Sequence, residues 1–557
     1  MKNKLLSTFL TLTFASNLFA QTQLVKDWDY RFGGNQLDDL TCLVKTADGG
    51  CILAGSSKSD SNGDRTVPNW NPSTLNPTYD FWIVKIDSLG LKQFDKKYGG
   101  IDDDILYSMI KTADGGYLLG GATKSDSSGD MTQQNWTVTS GVDDFWVIKL
   151  DSNFTRQWDK RFGGTNNDRL YSMKQTRDGG YILGGTAEEG FGIGDISQPT
   201  WGGEDYWIVK IDSVGSMEWN KRYGGTTNDF LESVVLTPDN GFLLCGMSGG
   251  PISGDITQAS FDTTNNPFNY DIWVVKVDSV GSIQWNKRYG GSKSEQLYSA
   301  LGKNSFFYLY AYSASGISGN KTVAKCDTSK LSADLWLVKI DLNGNIVWQQ
   351  GYGGISHEES YSLEGTNDSG FLLGATSYSP ISCSKSESNL GQEQTWIIKT
   401  DSNGVKQWDK TVLTTGHDEL GIATETTDGC YLMANFTLAG IGGDKTQATQ
   451  GQSDYWIVKY CETKIVEGVN SVTTNSIISI SPNPFSSDLS IAIQKQNLNQ
   501  ATFTIHNIVG QVVFNQQEHN LSDSYTKTID LTFLANGIYV LQIVVDGERT
   551  TKKIIKQ

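Results

Sequence analysis

The sequence predicts an all-β fold: a seven-bladed β-propeller closed by an N-terminal strand, followed by a small C-terminal β-sandwich. Three observations predict it. A tryptophan followed by a Val/Ile-rich run and a lysine recurs seven times, each copy contains short apolar runs separated by turn residues, and the composition changes after the last copy. A long fixed period indicates a repeat whose unit is a module of several strands.

The tryptophans set the period of the repeat. Successive ones are 64, 61, 66, 63, 60 and 60 residues apart, and they are Trp82, Trp146, Trp207, Trp273, Trp336, Trp396 and Trp456. The second copy contains four β-type runs, with Asp-Gly between the first two and Asp-Ser-Asn between the last two. Because Asp-Gly between β-formers is a strong hairpin signal, each copy is predicted to be a four-stranded antiparallel meander.

The two ends of the repeat region complement each other. A strand-four pattern occurs at Val25–Gly34, before any first strand, and the last copy stops after its third strand at Asp454–Tyr460. Seven such modules, rich in Gly and aromatic residues, are typical of a propeller, in which radial repetition protects the sheet edges. We therefore expect the N-terminal strand to complete the last blade.

Two segments of the repeat resemble kelch and WD40-type propellers. They are DGGYLLGG at Asp114–Gly121 and QWDKRFGG at Gln157–Gly164, which carry a glycine doublet and a strand-four tryptophan. The resemblance covers roughly residues 24–460 and implies the fold, but says little about a ligand.

Length and charge limit the classes of partner. The 557 residues suit a large ring plus a smaller module, and 45 Lys+Arg against 62 Asp+Glu give a formal net charge of -17. Because nucleic-acid binding needs clustered basic residues, we exclude a nucleic-acid partner.

The predicted domains are a signal peptide at 1–20, the propeller at 21–461, a polar linker at 462–475 and a C-terminal β-sandwich at 476–557. The first segment has two lysines, then an apolar run and a small residue at Ala20, as secretory signal peptides do. No other run of 18 apolar residues occurs, so no transmembrane segment is expected.

The C-terminal segment resembles the sorting domain of proteins exported by the type IX secretion system. Four motifs occur in the right order: Pro482–Phe485, Asn507–Gln511, Leu534–Tyr539 and the basic pair Lys552-Lys553. The resemblance implies export through that machinery, removal of the segment, and a protein secreted from, or held on the outer cell surface of, a Gram-negative bacterium. The alternative is an Ig-like module that stays attached and binds something.

Seven cysteines, an odd number, show no metal-binding spacing. Cys326 and Cys383 fall in equivalent long loops of adjacent blades and are candidates for a disulfide. Cys42 and Cys51 flank one hairpin and are a second candidate pair, with free thiols as the alternative.

The long loops between strands two and three share one face with the strand 4–1 connections. Trp70, Trp136 and Trp201 lie in these loops in blades one to three. Exposed aromatic side chains at loop tips suit sugar- or protein-binding surfaces, so these are the ligand-binding candidates. The alternative is that each tryptophan folds down to cap its own blade.

The same loops contain oxygen side chains at alternate positions. They are Asp60, Asn62 and Asp64 in blade one and Asp126, Ser128 and Asp130 in blade two. Such spacing can wrap Ca²⁺, which takes six to eight oxygens. Because no downstream glutamate completes an EF-hand loop, turn formation is the alternative.

An acidic residue follows the Gly-Gly in six blades, and an aspartate stands in the corresponding place in the seventh: Asp38, Asp104, Asp168, Asp229, Glu295, Glu358 and Asp418. If the first strands are innermost, these carboxylates circle the axial mouth and could form an electronegative funnel for cations or a basic partner. The alternative is a repeated turn cap. The repeated lysines are expected to pair with a repeated carboxylate: Lys85, Lys149, Lys210, Lys276, Lys339, Lys399 and Lys459.

The sequence contains no HExxH, GxSxG or P-loop motif, so we predict no enzyme activity. His357 and His417 occupy corresponding connections of neighbouring blades and are candidates for a metal site. The function predicted is a secreted or surface-displayed, non-enzymatic binding or adhesion scaffold with a glycan or protein ligand. The alternatives are a polysaccharide-degrading hydrolase or lyase and a structural surface component.

Overall fold

The computed structural model describes residues 22–557 except 72, 74, 137–140, 189–191, 193, 263–268, 328–331, 465–476, 508–510 and 547. The predicted signal peptide therefore lies outside the described residues. The chain divides into two compact units, one ending at Lys464 and the other formed by the residues after it. Among the described residues, no helix is long and apolar enough to cross a bilayer.

The described part of the first unit is all-β and forms seven four-stranded antiparallel sheets. The N-terminal strand is β1 (Thr22–Phe32). Sheet 1 has β2 (Asp38–Lys45), β3 (Cys51–Ser57), β4 (Asp80–Ile86) and β5 (Lys92–Tyr98). Sheet 2 has β6 (Asp104–Lys111), β7 (Tyr117–Thr123), β8 (Asp144–Leu150) and β9 (Arg156–Phe162). Sheet 3 has β10 (Asp168–Gln175), β11 (Tyr181–Ala187), β12 (Asp205–Ile211) and β13 (Met217–Tyr223).

The remaining sheets repeat this order. Sheet 4 has β14 (Asp229–Leu236), β15 (Phe242–Ser248), β16 (Asp271–Val277) and β17 (Ile283–Tyr289). Sheet 5 has β18 (Glu295–Lys303), β19 (Phe306–Ser313), β20 (Asp334–Ile340) and β21 (Ile346–Tyr352). Sheet 6 has β22 (Glu358–Gly365), β23 (Phe371–Ser377), β24 (Gln394–Thr400) and β25 (Lys406–Thr411). Sheet 7 has β26 (Asp418–Glu425), β27 (Cys430–Thr437), β28 (Asp454–Lys464) and, as its fourth strand, β1.

The apolar cores of this unit lie between neighbouring sheets. The third strands are buried on both faces, as their continuous apolar runs predict. One core joins Ile52 and Ile83 of sheet 1 to Leu106 and Trp146 of sheet 2. Another joins Leu432 and Ile457 of sheet 7 to Leu40 and Trp82 of sheet 1. The first strand of each sheet packs against the first strand of the next, and β26 packs against β2.

Each third-strand tryptophan is fully buried and donates its indole N–H to a side-chain oxygen on strand four. The acceptors, at 2.9–3.4 Å, are Asp95, Asp159, Asn220, Asn286, Gln349, Asp409 and Asp29. The polar residue that follows the strand-four aromatic position therefore satisfies a buried donor in every sheet. In sheet 7 that residue, Asp29, comes from the opposite end of the chain.

The strand β1 pairs antiparallel with β28, from Thr22 opposite Lys464 to Phe32 opposite Tyr455. This pairing corrects one predicted boundary. The linker was predicted to start at residue 462, but β28 continues to Lys464 because β1 begins far enough upstream to pair with it. The rest of the predicted linker, 465–475, lies outside the described residues.

Four cysteines form two disulfides. Cys326 and Cys383 are bonded between the long loops of sheets 5 and 6, so that prediction is confirmed. Cys430 and Cys461, which the sequence did not single out, lie directly opposite each other on β27 and β28 and are also bonded.

The predicted Cys42–Cys51 pair is wrong, because both thiols are free. Cys51 belongs to the core between sheets 7 and 1, whereas Cys42 packs on the core between sheets 1 and 2. The two side chains therefore lie on opposite faces of sheet 1.

The second unit consists of two antiparallel sheets on a common core. One sheet has β29 (Ile477–Ser481), β30 (Asp488–Gln494) and β33 (Ser524–Asp530); the other has β31 (Gln500–His506), β32 (Val512–His519), β34 (Gly537–Val545) and β35 (Glu548–Lys556). Phe485, Ile491, Phe503 and Leu541 are buried in the core. Strand alternation in the sequence predicted this arrangement, although 508–510 of the central motif lie outside the described residues.

Candidate binding site at the loop-side mouth

The recurring Gly-Asp of the long loops ties each loop to the preceding sheet. In sheet 2 the backbone N–H of Asp130 donates to Gly99 O at 2.8 Å, and the Asp130 carboxylate accepts the Gly99 N–H at 3.2 Å. Gly129 has a φ of 58°, and a Cβ there would lie 2.4 Å from Gly99 O, so glycine is required. The same backbone bond recurs in all seven sheets, with Asp64 and Gly33 in the first.

The three loop tryptophans are exposed at their edges, with relative exposures of 42% for Trp70, 48% for Trp136 and 53% for Trp201. Each contacts the Gly-Asp of the next sheet. Trp70 donates its indole N–H to Asp130 at 3.0 Å, Trp136 hydrogen-bonds Asp195, and Trp201 hydrogen-bonds Asp255. Trp70 also packs on its own sheet, since the Lys97 ammonium lies 3.9 Å from the centre of its ring. The loop tryptophans thus clamp the adjacent sheet, and their role in ligand binding stays a prediction.

The oxygen side chains considered for calcium are held by different partners. Asp60 accepts the Asn69 N–H, Asn62 bonds Asn35, and Asp64 accepts from Arg31. In sheet 2, Asp126 accepts two backbone N–H groups, Ser128 accepts the Ile101 N–H, and Asp130 accepts from Gly99 and Trp70. Among the described residues, no group of three or more His, Cys, Asp and Glu could hold a metal ion. The contacts observed are those of turns and of neighbouring sheets, and calcium binding by these residues stays a prediction.

The seven repeated acidic residues are fully buried, which corrects the expectation of an exposed funnel formed by them. Asp38, for example, accepts the Gly34 N–H at 2.7 Å and the Ser59 hydroxyl at 3.0 Å. Six of the seven accept the N–H of the second glycine of the preceding doublet, and Asp418 accepts from Thr414. Burial raises the pKa of Asp104 to about 8 and that of Asp229 to about 7.

Other residues of the first strands are half-buried. Every first strand contains a bulge, which leaves one residue unpaired in six sheets and two in the seventh. The single bulge residues are Thr41, Tyr107, Tyr171, Glu232, Tyr298 and Tyr361. Rings from adjacent sheets meet here: the centroids of Tyr107 and Tyr171 are 4.9 Å apart, and those of Tyr298 and Tyr361 are 6.2 Å apart. Bulges re-aim side chains, often next to functional sites.

We define the loop-side mouth as three positions in each sheet: the bulge residue, the residue after the buried acid, and the residue before the third strand. Across these described positions seven residues are acidic and one is basic: Asp39, Asp143, Glu204, Glu232, Glu359, Glu393 and Glu419, with Arg169. Arg169 lies 2.7 Å from Asp143 and 3.7 Å from Glu204. The mouth therefore carries an excess of negative charge.

Carboxylates from different sheets repel one another electrostatically at the mouth, which raises the pKa of Asp39 and of Glu232. Burial and then the charge of Glu419 raise the pKa of Asp39. Burial and then Glu204 raise the pKa of Glu232 to about 8. A protein cleft of one charge sign focuses its field and attracts ligands of the opposite sign.

The two histidines are caps of the mouth rather than a metal pair. His357 Nδ1 accepts the Ala333 N–H at 3.2 Å. Asp103, which has the equivalent position in sheet 2, accepts the Tyr79 N–H in the same way. His357 Nε2 lies 3.1 Å from Glu359. His417 lies 2.9 Å from Glu419 and 3.5 Å from Glu393. Each ring therefore has its own carboxylate partner.

Sequence reasoning missed most of the mouth residues. A signal was present, since the position after the buried acid changes from sheet to sheet while its neighbours repeat. The bulge was not visible in the alternation of the strand, so the bulge residue could not be assigned to the mouth.

Comparisons with known proteins identify one segment. Residues 479–557 match the family of secretion system C-terminal sorting domains, so the sorting prediction for this segment is confirmed. This domain indicates a secreted or cell-surface protein. The resemblance of residues 24–460 to kelch and WD40 repeats stays a prediction.

Similarity elsewhere is weaker. A stretch of 294 residues is 25% identical to the regulatory protein FlaEY of Caulobacter vibrioides, covering 48% of this chain and 28% of that protein. The chain thus spans well under two thirds of that relative. Among solved structures, Kuenenia stuttgartiensis hydrazine synthase aligns with a TM-score of 0.35 and 8% identity, covering 61% of this chain and 77% of that one. A mutant Synechocystis apocarotenoid oxygenase aligns with a TM-score of 0.36 and 13% identity, covering 80% and 98%.

The buried acids predict a stability that falls as pH rises from 5 to 8. An unfolded aspartate has a pKa near 3.9, whereas burial raises the pKa to about 8 in Asp104 and about 7 in Asp38. The folded state therefore binds more protons, so this stabilisation is complete below about pH 4 and is lost by about pH 8.

The thermal midpoint measured by calorimetry at a series of pH values tests this. Asp104→Asn keeps the shape of the side chain but removes its titratable carboxyl group. The thermal midpoint of this variant is therefore expected to fall less between pH 5 and pH 8 than that of the unsubstituted protein. A midpoint that rises with pH, or an equal fall in the variant, would contradict the assignment.

Proposed function

We propose that the protein is a secreted or cell-surface binding scaffold that captures a positively charged extracellular ligand at its loop-side mouth. In this proposal the seven sheets are the blades of a kelch-like β-propeller, closed into a ring by β1. The sorting domain directs export through the type IX machinery and is then cleaved. The observation that carries the proposal is the contrast between a repeated frame and a mouth that differs in every sheet.

The contacts between sheets support the ring. Each first strand contacts the next, β26 contacts β2, and an apolar core lies at each of the seven junctions, including the one between sheets 7 and 1. An arrangement in which every sheet has two neighbours leaves only short, protected edges.

The chemistry of the mouth supports a cationic ligand. Carboxylates supply charge-assisted hydrogen bonds to ammonium and guanidinium groups, and tyrosine faces attract cations. Tyr378 is 44% exposed and donates its hydroxyl to Glu393 at 2.6 Å, so an aromatic ring and a carboxylate stand together at the rim.

A polysaccharide-degrading activity is the second candidate, and one residue favours it. Glu232 has a pKa raised to about 8, so it is protonated at neutral pH as a general acid must be. It shares the bulge position with Tyr171 and Tyr298, which offer rings for stacking a sugar. Release of reducing ends that disappears in Glu232→Gln would favour this candidate over a scaffold, whereas glycan binding without product release would exclude it.

Export of the protein is predicted to require its C-terminal domain. Deleting residues 481–557 removes most of the second unit and leaves intact the separately packed unit that ends at Lys464. We expect the truncated protein to remain inside the native host bacterium, while the full chain reaches the surface or the medium, as measured by immunoblotting of cell fractions. Equal amounts of both proteins outside the cell would contradict this role.

Binding of a labelled decalysine peptide tests the mouth. Glu359→Gln and Glu419→Gln each remove one mouth charge, and each is expected to weaken binding about threefold, the factor that corresponds to about 0.6 kcal/mol. The affinity should also fall with salt, because exposed charges are screened.

Asp104→Asn is the matched control for that measurement. It removes an acidic residue of the same kind of strand, but one that is fully buried and protonated at neutral pH, so binding should not change. An equal loss in the control, or no loss in the two mouth variants, would overturn the proposal.

A further inference from the structure

The repeated lysines of the third strands pair with a repeated aspartate in six of the seven sheets. The pairs are Lys85–Asp48, Lys149–Asp114, Lys210–Asp178, Lys276–Asp239, Lys399–Asp368 and Lys459–Asp428, at 2.6–3.0 Å. These lysines are buried, with 2–7% relative exposure. Each aspartate stands in the turn between the first and second strands, on the face opposite the long loops.

Sheet 5 lacks this pair. Its turn is Asn304-Ser305, between Lys303 and Phe306, which pair with each other, and it contains no carboxylate. Lys339 therefore has no acidic partner among the described residues. Its ammonium lies 3.9 Å from the centre of the Phe306 ring, and its side chain is half-buried.

Sheet 5 also differs from most other sheets at the position that precedes their second strands. In sheets 1 to 4 and sheet 6 a glycine precedes the second strand, and a Cβ at that glycine would lie 2.6–2.9 Å from the lysine Nζ. Phe306 occupies the corresponding place in sheet 5. Lys339 packs on the Phe306 ring. Sheet 7 has Cys430 at this position and keeps its lysine–aspartate pair, so the pair is absent from sheet 5 because its turn contains no carboxylate.

A cavity of about 230 Å³ lies beside this altered turn. Leu236, Pro238, Phe306 and Leu342 supply apolar walls, and Arg177 and Lys303 are the charged residues of its lining. Both cations bind neutral groups. Arg177 donates to Pro238 O at 3.2 Å and to Asn240 at 2.7 Å, and Lys303 donates to Thr366 O and Gly370 O at 3.3 Å.

A second cavity on the same face shows that this charge pattern is not general. The cavity at the junction of sheets 7 and 1 has about 290 Å³, and its lining includes Asp48, Asp87 and Asp428 with the single cation Lys459. Lys459 is paired with Asp428 at 2.7 Å. In a chain of net charge -17, the cavity at sheet 5 is a local excess of positive charge.

We propose that the cavity between sheets 4 and 5 binds a small organic carboxylate whose body is one apolar ring. In this proposal the ammonium of Lys303, which the structure places on Thr366 O and Gly370 O, turns to join Arg177 at the carboxylate. The leucines, Pro238 and Phe306 face the ring. A cavity of roughly 150 Å³ is large enough for benzene, so this one can accommodate a single ring with its carboxylate. Concave sites with apolar walls and a few polar groups are typical of small-molecule binding. This site is separate from the mouth and goes beyond the proposed function.

Titration calorimetry on the full chain tests this proposal with three probes. The probes are phenylacetate, glucuronate and inorganic phosphate. Binding of phenylacetate that is tighter than binding of glucuronate and phosphate supports the site. Equal or tighter binding of glucuronate or phosphate, or no binding of phenylacetate at about 10 mM, tenfold above a dissociation constant of about 1 mM, overturns it.

Two substitutions test the location of the site. Ser305→Asp restores a carboxylate to the turn, and aspartate tolerates the positive φ of 61° found there. We expect the affinity for the bound probe to fall at least tenfold. Lys303→Met removes a lining cation without adding an acid and is expected to give a similar loss.

Lys111→Met is the matched control, because Lys111 is an exposed lysine at the end of the first strand of sheet 2, on the same face. It should leave binding unchanged. An equal loss in this variant would show a nonspecific charge effect and overturn the proposal, as would unchanged binding in Ser305→Asp or in Lys303→Met.

Discussion

The hydrogen bond from the third-strand indole to the fourth-strand oxygen is the interaction on which the first unit depends. The oxygen that accepts the indole N–H also accepts a backbone N–H from the long loop. The donor is the Ser or Thr two residues after the Gly-Asp position. In sheet 1, for example, Asp95 accepts from the Trp82 indole and from the Thr66 backbone N–H. One side chain thus fastens two strands and a loop. A buried indole without an acceptor would cost about 1–3 kcal/mol, so every sheet needs its fourth strand. Sheet 7 obtains it from β1, where Asp29 serves Trp456 and Thr446.

Much of this frame could be predicted from sequence because it is local and repeated. Tryptophans at a near-constant interval, Asp-Gly turns and continuous apolar third strands each report one element, and the unmatched strand patterns at the two ends predicted the pairing of β1 with β28. The side chains that lie at the mouth could not be predicted. Alternation shows that Asp38 and Asp39 point to opposite sides, but not that Asp38 is the buried one. The Cys430–Cys461 bond was missed because it depends on the register between β27 and β28.

The exceptions to the repeat carry the functional information. Residues that satisfy buried donors or tie sheets together recur in nearly every copy. The loop tryptophans, which occur in the first three sheets, also tie sheets together because they clamp the next one. At the mouth, the bulge residue is Thr41 in sheet 1, Tyr107 in sheet 2 and Glu232 in sheet 4. In sheet 5, Phe306 stands where most sheets have a glycine, and Lys339 packs on its ring. A repeated frame tolerates such changes because its stability is distributed over seven similar junctions.

The most direct test of this account is the urea unfolding midpoint of variants at Asp29. Asp29→Asn keeps an oxygen acceptor, as Asn220 and Asn286 do in sheets 3 and 4, and should unfold close to the unsubstituted protein. Asp29→Ala leaves the Trp456 indole and the Thr446 N–H without an acceptor and should lose about 2 kcal/mol. Asp27→Ala, an exposed change on the same strand, is the control. An Asp29→Ala midpoint equal to that of Asp27→Ala would contradict the claim that the N-terminal strand completes the seventh sheet through this bond.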